Sequence, residues 1–331
     1  MINTQKPTEG NQSAINKTTP KVYTNLASIP THVILAEFEA VFIEHYGHLP
    51  KGGLDTSGNI QRFHIRGHKK GSKNGYQSTH LDGVATLHMG NFKDGTSLNH
   101  SFNIGRSLTP KELEEQKRTA QRAREARRLE TARKHKATAK KATALWCKLP
   151  PVNANNPYLV KKHMLPDGLK QTTDGVIVAP MLNKKRLVGL QFISLDYKRF
   201  LSGSKLIGSC HLYKPSDNCY DEIFLCEGLS TACAIWQLSG KKAVFASFSA
   251  NNLEAIAIKI RAEFPRSKLT VCADNDIRED TNKLNTGVHY ATIASRKVGA
   301  YLSIPEMDGK PCDFCDIWCN AMDALSGEDN V

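Results

Sequence analysis

Carboxylates stand at three places in the C-terminal half of the sequence, each beyond an apolar run. Glu227-Gly228 follows EIFLC, Asp274-Asn275-Asp276 follows KLTVCA, and Asp313-Phe314-Cys315-Asp316 follows AYLSIP and a Met307-Asp308-Gly309-Lys310 segment. Taken singly, Glu-Gly and Asp-Asn-Asp are ordinary turn chemistry. Gathered at one end of a sheet, the five acids would repel one another, and some would hold protons unless a counter-charge relieved them. Hard divalent cations with a preference for oxygen, Mg²⁺ or Mn²⁺, relieve that conflict and also bind phosphates. A competing chemistry overlaps the last motif, where Cys312, Cys315 and Cys319 are spaced C-x2-C-x3-C. Closely spaced thiols suit an iron–sulfur or zinc site, but the sheet offers no obvious fourth ligand. Cys226, Cys233 and Cys272 read as small core residues.

The acids need strands to hold them. From Asp221 onward the pattern alternates: strand 222–226, helix 229–238, strand 242–248, helix 251–263, strand 268–273, a long turn, helix 287–298, strand 300–305 and a closing segment. Apolar strands interleaved with amphipathic helices predict βαβ units and a parallel sheet covered on both faces. Ligands bind such sheets outside the carboxyl ends of the strands, which is where the acids fall. Before this region, 175–182 and 187–195 are strand candidates around an Asn183-Lys184-Lys185 turn, and 196–204 reads as a basic, Gly/Ser-rich turn.

That ordered set of acids resembles a Toprim domain over 222–316, and within that family it is most similar to the Toprim primases of phages, plasmids and other mobile elements. The residues that carry the resemblance are GLK (168–170), KRFLSG (198–203), CEGLSTACAIW (226–236), FSANNL (248–253), ADND with a later NTG (273–276, 285–287) and DFCD (313–316). KRFLSG is similar to the basic element that precedes the Toprim core in bacterial-type primases. The resemblance covers about 150–325, and a weaker one extends over 59–102. Bacterial-type primases usually carry a zinc module, whereas this chain has no Cys before Cys147, so no zinc is expected. The resemblance implies that Asp274 and Asp276 hold Mg²⁺ or Mn²⁺, with Glu227 as ligand or general acid/base. It implies that Asp313 and Asp316 bind a second metal or orient the first. Lys198 and Arg199, and more weakly Lys241, would contact nucleotide or template phosphates.

The charge agrees with a polyanionic partner. The 331 residues carry 45 Lys and Arg against 32 Asp and Glu, a formal net charge of +13, and suggest about two domains. No apolar run is long enough to cross a membrane, no apolar leader opens the chain, and the scattered Cys suit a reducing cytoplasm. The excess charge is concentrated in 111–148, with thirteen Lys and Arg against five acids in a stretch free of Gly and Pro. Thr109 and Pro110 suit the start of a helix there. Its apolar positions are few, so it reads either as a connector or as a phosphate-contacting arm. Residues 31–46 suit an amphipathic helix. Residues 52–104 alternate like a small antiparallel sheet, with Asn74-Gly75 and Asp82-Gly83 as hairpin signals. The histidines there (His64, His68, His80, His88, His100) lack Cys companions and read as ordinary strand residues.

The fold expected is therefore α/β. A Toprim domain at 221–325, Rossmann-like with helices on both faces, follows an antiparallel β subdomain (149–220), a basic helix (107–148) and a small α+β domain (31–106), with tails at 1–30 and 326–331. The expected function is synthesis of short primers on a single-stranded DNA template from nucleoside triphosphates. With no G-x4-G-K-[ST] sequence present, a replicative helicase would act in trans. A Toprim-type nuclease and a non-catalytic DNA-binding replication accessory protein are the alternatives.

Overall fold

The computed structural model describes residues 29–82, 84–102, 109–277 and 284–328. Residues 1–28 of the expected tail 1–30, residues 329–331 of the expected tail 326–331, and Gly83 of the Asp82-Gly83 turn lie outside the described residues, while 326–328 belong to the last helix. The chain forms two compact units, 1–126 and 127–331. The division falls within the basic helix rather than at its start.

In the first unit, α1 (Thr31–Tyr46) places Ile34, Phe38 and Phe42 on one face at a spacing of four and ends at Gly47, whose φ of 73° makes the left-handed cap. That face packs on Phe63, Leu87 and Met89 of an antiparallel sheet ordered β1 (Gln61–Phe63), β2 (Gly75–His80), β3 (Thr86–Asn91) and β4 (Ser97–Ser101). The β1–β2 connection is longer than the Asn74-Gly75 hairpin expected from the sequence. Gly75 lies inside β2 opposite Phe63, and a Cβ there would come within 2.5 Å of the Phe63 ring. The glycine serves close packing across the strands, not a tight turn. β4 has no clear alternation because four of its five residues are exposed.

The helix α2 (Pro110–Lys148) begins as expected. Thr109 and Glu112 form a reciprocal capping box, in which the Glu112 N–H donates to Thr109 Oγ1 (3.3 Å) and the Thr109 N–H to Glu112 Oε2 (2.9 Å). Thr138 and Ala142 are its buried residues. With Leu145 and Trp146 the C-terminal turns pack on Val178 and Leu190, which belong to the sheet β5 (Lys170–Gln171), β6 (Ile177–Asn183), β7 (Arg186–Ile193) and β8 (Lys198–Phe200). β6 and β7 are joined by Lys184 and Lys185 at φ of 48° and 63°, a two-residue turn with both residues left-handed. Lys198-Arg199-Phe200, expected in a turn, is instead the strand β8, paired with β7. The helix α3 (Pro157–Lys161) packs Tyr158 and Leu159 beneath.

The second sheet of this unit runs β13 (Tyr301–Ser303), β12 (Lys268–Cys272), β10 (Glu222–Cys226), β11 (Ala243–Ala246), β9 (His211–Tyr213). The first four are parallel, as expected, and β9 is antiparallel at the edge. β9 precedes the expected boundary at 221 yet pairs with β11, so the sheet is mixed. α4 (Leu229–Leu238) and β6 bury one face of the sheet, while α5 (Leu253–Glu263) and α6 (Thr286–Val298) bury the other. A closing helix, α7 (Phe314–Glu328), lies on α4.

Asn252 pins this unit together. Its fully buried amide donates to the carbonyls of Ser209 (2.8 Å), Ser247 (2.7 Å) and Leu206 (3.2 Å), and its Oδ1 accepts from the Gly208 N–H (2.7 Å). Asn252→Ala leaves four buried backbone groups without that partner, so it should cost about 2–4 kcal/mol, measured as a lower urea midpoint at unchanged m-value.

Candidate functional site: an acidic centre at the strand ends

β10 and β12 are neighbouring parallel strands, so Glu227 and Asp274, one and two residues beyond their carboxyl ends, emerge on the same edge. Gly228, in extended backbone, is the N-cap of α4. It leaves room for Thr231, whose Oγ1 would lie 2.9 Å from a Cβ at that position. The Thr231 hydroxyl in turn donates to Asp313 Oδ2 (3.0 Å). Asn275 pairs its backbone with Cys312 (2.8 and 3.1 Å) and donates its amide to the Pro305 carbonyl (2.9 Å). The segment 305–312 is thereby laid beside the end of β12, which brings Asp313 within electrostatic reach of Asp274.

Asp276 is exposed, and its Oδ2 accepts the Gly287 N–H in the first turn of α6 (3.2 Å). Asn285 caps that helix by accepting from Val288 and also holds the Asp276 N–H (3.2 Å). Gly287 sits so close that a Cβ would fall 2.1 Å from the Asp274 carbonyl oxygen. Residues 278–283 of the connection are outside the described residues.

Burial and mutual repulsion act on these acids together. Asp274 is pushed up to about 8, first by burial and then by Glu227, Asp313 and Asp276, with Lys198 opposing. Its Oδ1 is buried without a hydrogen-bond partner. Glu227 is also raised, by burial and then by Asp276, against the Ala250 N–H and Lys198. Four of the five expected acids, with Lys198, thus share one electrostatic environment. Among the described residues, however, no three His, Cys, Asp or Glu side chains are drawn close enough to form a finished metal cage. The donor chemistry nevertheless fits a hard cation. The Asp274 Oδ1 has no hydrogen-bond partner, and Lys198 only partly offsets the neighbouring acids, which is the environment a hard cation would relieve.

Asp316 is engaged at the start of α7. Its Oδ2 accepts the Asp313 N–H (3.1 Å), its own N–H returns to Asp313 Oδ1 (2.9 Å), and Lys162 Nζ lies 3.6 Å from its Oδ1. Asp313-x-x-Asp316 is a capping box for α7, a spacing that was itself a signal in the sequence. The Lys198-Arg199 pair is split by strand alternation. Lys198 bears on the acids and lies 6.0 Å from the Tyr158 ring, whereas Arg199 lies over Tyr197 (5.1 Å) and Phe192 (5.6 Å). Lys241 precedes β11 and sits over Trp236 (5.0 Å) at the end of α4. That is the amino edge of the parallel strands, so the fold does not bring Lys241 to the acids.

The three cysteines do not converge. Cys315 and Cys319 approach to 3.9 Å on one face of α7, while Cys312 is held by its backbone to Asn275. Burial pushes the Cys315 thiol far up, which opposes the thiolate that a metal requires. The residues not singled out from the sequence are Thr231, Asn275 and Lys162. Their roles depend on contacts across 82, 30 and 154 positions of chain.

No family model matches the chain. Two Escherichia coli proteins named DNA primase TraC are similar to it. One is 29% identical over 258 residues, covering 75% of this chain and 24% of that protein; the other is 27% identical over 271 residues, covering 76% and 19%. The chain therefore spans about a quarter or less of these relatives. The primase fragment of the bacteriophage T7 primase-helicase protein aligns with 52% of this chain and 68% of its own at 14% identity and a TM-score of 0.35. Among the described residues no helix is long and apolar enough to cross a membrane.

Proposed function

We propose that this chain is a DNA primase of the mobile-element type, making short primers on single-stranded DNA by Mg²⁺- or Mn²⁺-dependent nucleotidyl transfer at a Toprim-type centre over 221–325. The observation that carries this reading is the orphaned Asp274 oxygen, set among Glu227, Asp276 and Asp313 at the carboxyl ends of parallel strands with Lys198 beside them. The similarity to proteins named DNA primase supports the reaction class, and the strand order with acids after β10 and β12 supports the Toprim assignment.

Asp274, Asp276 and Glu227 would hold the divalent cation, with Asp313 at its side. A bound cation supplies charge neutralisation for the attacking 3′-hydroxyl and the leaving pyrophosphate. Glu227, fixed by the Ala250 N–H, has a raised proton affinity that suits it to hold a proton at its carboxylate. Lys198 supplies positive charge for a triphosphate next to the acids. Arg199, on the other side of β8, faces away from them and suits a template phosphate. A helicase would be supplied by a partner.

Purified protein, a single-stranded template, Mg²⁺ and labelled ribo- and deoxynucleotides test the proposal. Short products should form and be lost in Glu227→Gln and Asp274→Asn. Degraded template would point instead to a nuclease, and binding with neither outcome to an accessory protein.

The exposed basic face of α2 would serve template binding. Neutralising Arg122, Arg124, Arg127 and Arg128 should weaken single-stranded DNA binding and flatten its dependence on log[salt] by as much as about 3. Anisotropy titrations at several salt concentrations measure this. An unchanged slope would make the helix a connector.

A further inference from the structure

The five-stranded sheet is not equally covered on its two faces. Toward α4, Tyr213, Val244 and Ala246 are buried. Toward α5 and α6, Ile223 and Leu225 of β10 and Leu269 and Val271 of β12 are buried, but the cross-strand pair Phe245–Leu212 of β11 and β9 is only half covered. Between this pair and α5 lies a cavity of about 610 Å³, lined also by Ile256, Ile260, Leu182 and Phe264.

Its mouth is basic. Lys184 and Lys185 stand on the left-handed β6–β7 turn, and Lys259 is anchored by the Gly208 carbonyl (2.5 Å) and Asn183 Oδ1 (3.1 Å). Burial and the neighbouring ammonium groups of Lys205 and Lys184 hold Lys259 below its ordinary proton affinity. Glu263 reaches Lys185 at 3.9 Å and is the single acid lining the cavity.

We propose that this groove is a docking site for an acidic amphipathic helix of a partner protein. Such a helix would lay apolar side chains on Phe245, Leu212 and Ile256 and place carboxylates against Lys184, Lys185 and Lys259. It would take the position over β11 and β9 that α5 and α6 take over the rest of the sheet. The apolar floor of Phe245 and Leu212 disfavours a free phosphate. Tyr220 and Phe264, stacked at 4.7 Å and 10°, spend ring faces on each other that nucleobases would need. A strand of three residues gives an edge of roughly 10 Å, which two helical turns span. None of the acids of the candidate catalytic centre lines the groove, so this inference stands apart from the primase reading.

The probe is an acetylated, fluorescein-labelled 12-residue helical peptide with Leu and Phe along one face and Glu along its flanks, titrated with the full chain and read by anisotropy. Saturable binding is expected, at least tenfold weaker for Lys184→Glu/Lys185→Glu, whose side chains are exposed and whose melting temperature should match wild type. A peptide with every Glu replaced by Lys should not bind. The proposal is overturned by absent binding, by equal binding to the charge-reversed variant, or by displacement of the peptide by a dT oligonucleotide through the same lysines. It is also overturned if sedimentation shows a dimer that dissociates in the variant, which would make a second copy the occupant.

Discussion

Asp274→Asn is expected to raise the melting temperature of the cation-free protein and, on the proposed primase reading, to cut primer synthesis. The folded chain holds the Asp274 proton up to a pH of about 8, because burial and then Glu227, Asp313 and Asp276 disfavour the carboxylate. The unfolded chain releases that proton near 3.8. Between those values the native state binds more protons than the unfolded state, so stability falls as pH rises through the window. In EDTA the variant lacks this decline. Its advantage should be small at pH 5 and grow to about 3 °C or more at pH 8, taking roughly 2–4 °C per kcal/mol for a unit of this size. Added Mg²⁺ should raise the wild-type melting temperature at pH 8 and leave the variant nearly unchanged. Primer synthesis should fall at least about a hundredfold. Equal melting temperatures across the pH range would remove the case for a strained acidic centre.

Among the glycines the structure describes, Gly287 meets backbone closest, so Gly287→Ala should be damaging although it adds only a methyl group. The added carbon would sit 2.1 Å from the Asp274 carbonyl oxygen and 2.9 Å from its carbonyl carbon. Both partners are backbone, so either α6 or the end of β12 must move. The Gly287 N–H that holds Asp276 would move with it. A loss of about 1–3 kcal/mol follows from overpacking, together with a loss of primer synthesis out of proportion to the unfolding. Gly299→Ala, at the other end of α6, is the control. Gly299 has φ of 61° and nothing within 4 Å of a Cβ, so that variant should lose about 1 kcal/mol through the left-handed backbone alone and keep its activity. Urea denaturation and the primer assay on the two variants separate the effects. Equal activity losses would show that Gly287 matters only for folding.

Elements held by interactions between near neighbours in the chain fall where the sequence places them, and those held by distant contacts do not. Strand Glu222–Cys226 and helix Leu229–Leu238 occur at their expected bounds, because the short apolar run and the Glu227-Gly228 break that follows it are written into neighbouring residues. The capping of α2 by Thr109 and Glu112 is similarly local. The edge strand β9 was not legible, since three residues gain strand identity only by pairing with β11, more than thirty positions away. The same holds for Gly75, whose turn-like neighbour Asn74 concealed a packing role against Phe63.

By itself the sequence determined that acids follow apolar strands in order, that a parallel βαβ arrangement would carry them to one edge, and that the positive charge lies in a separate helix. Tertiary structure decided which of those groups share a site. It joined Glu227, Asp274, Asp276 and Asp313 with Lys198, turned Asp316 to the cap of α7, and left Lys241 at the opposite edge. Charge and spacing fix what a residue could do, but electrostatic coupling depends on distance and burial, and these are set by contacts between segments far apart in the chain.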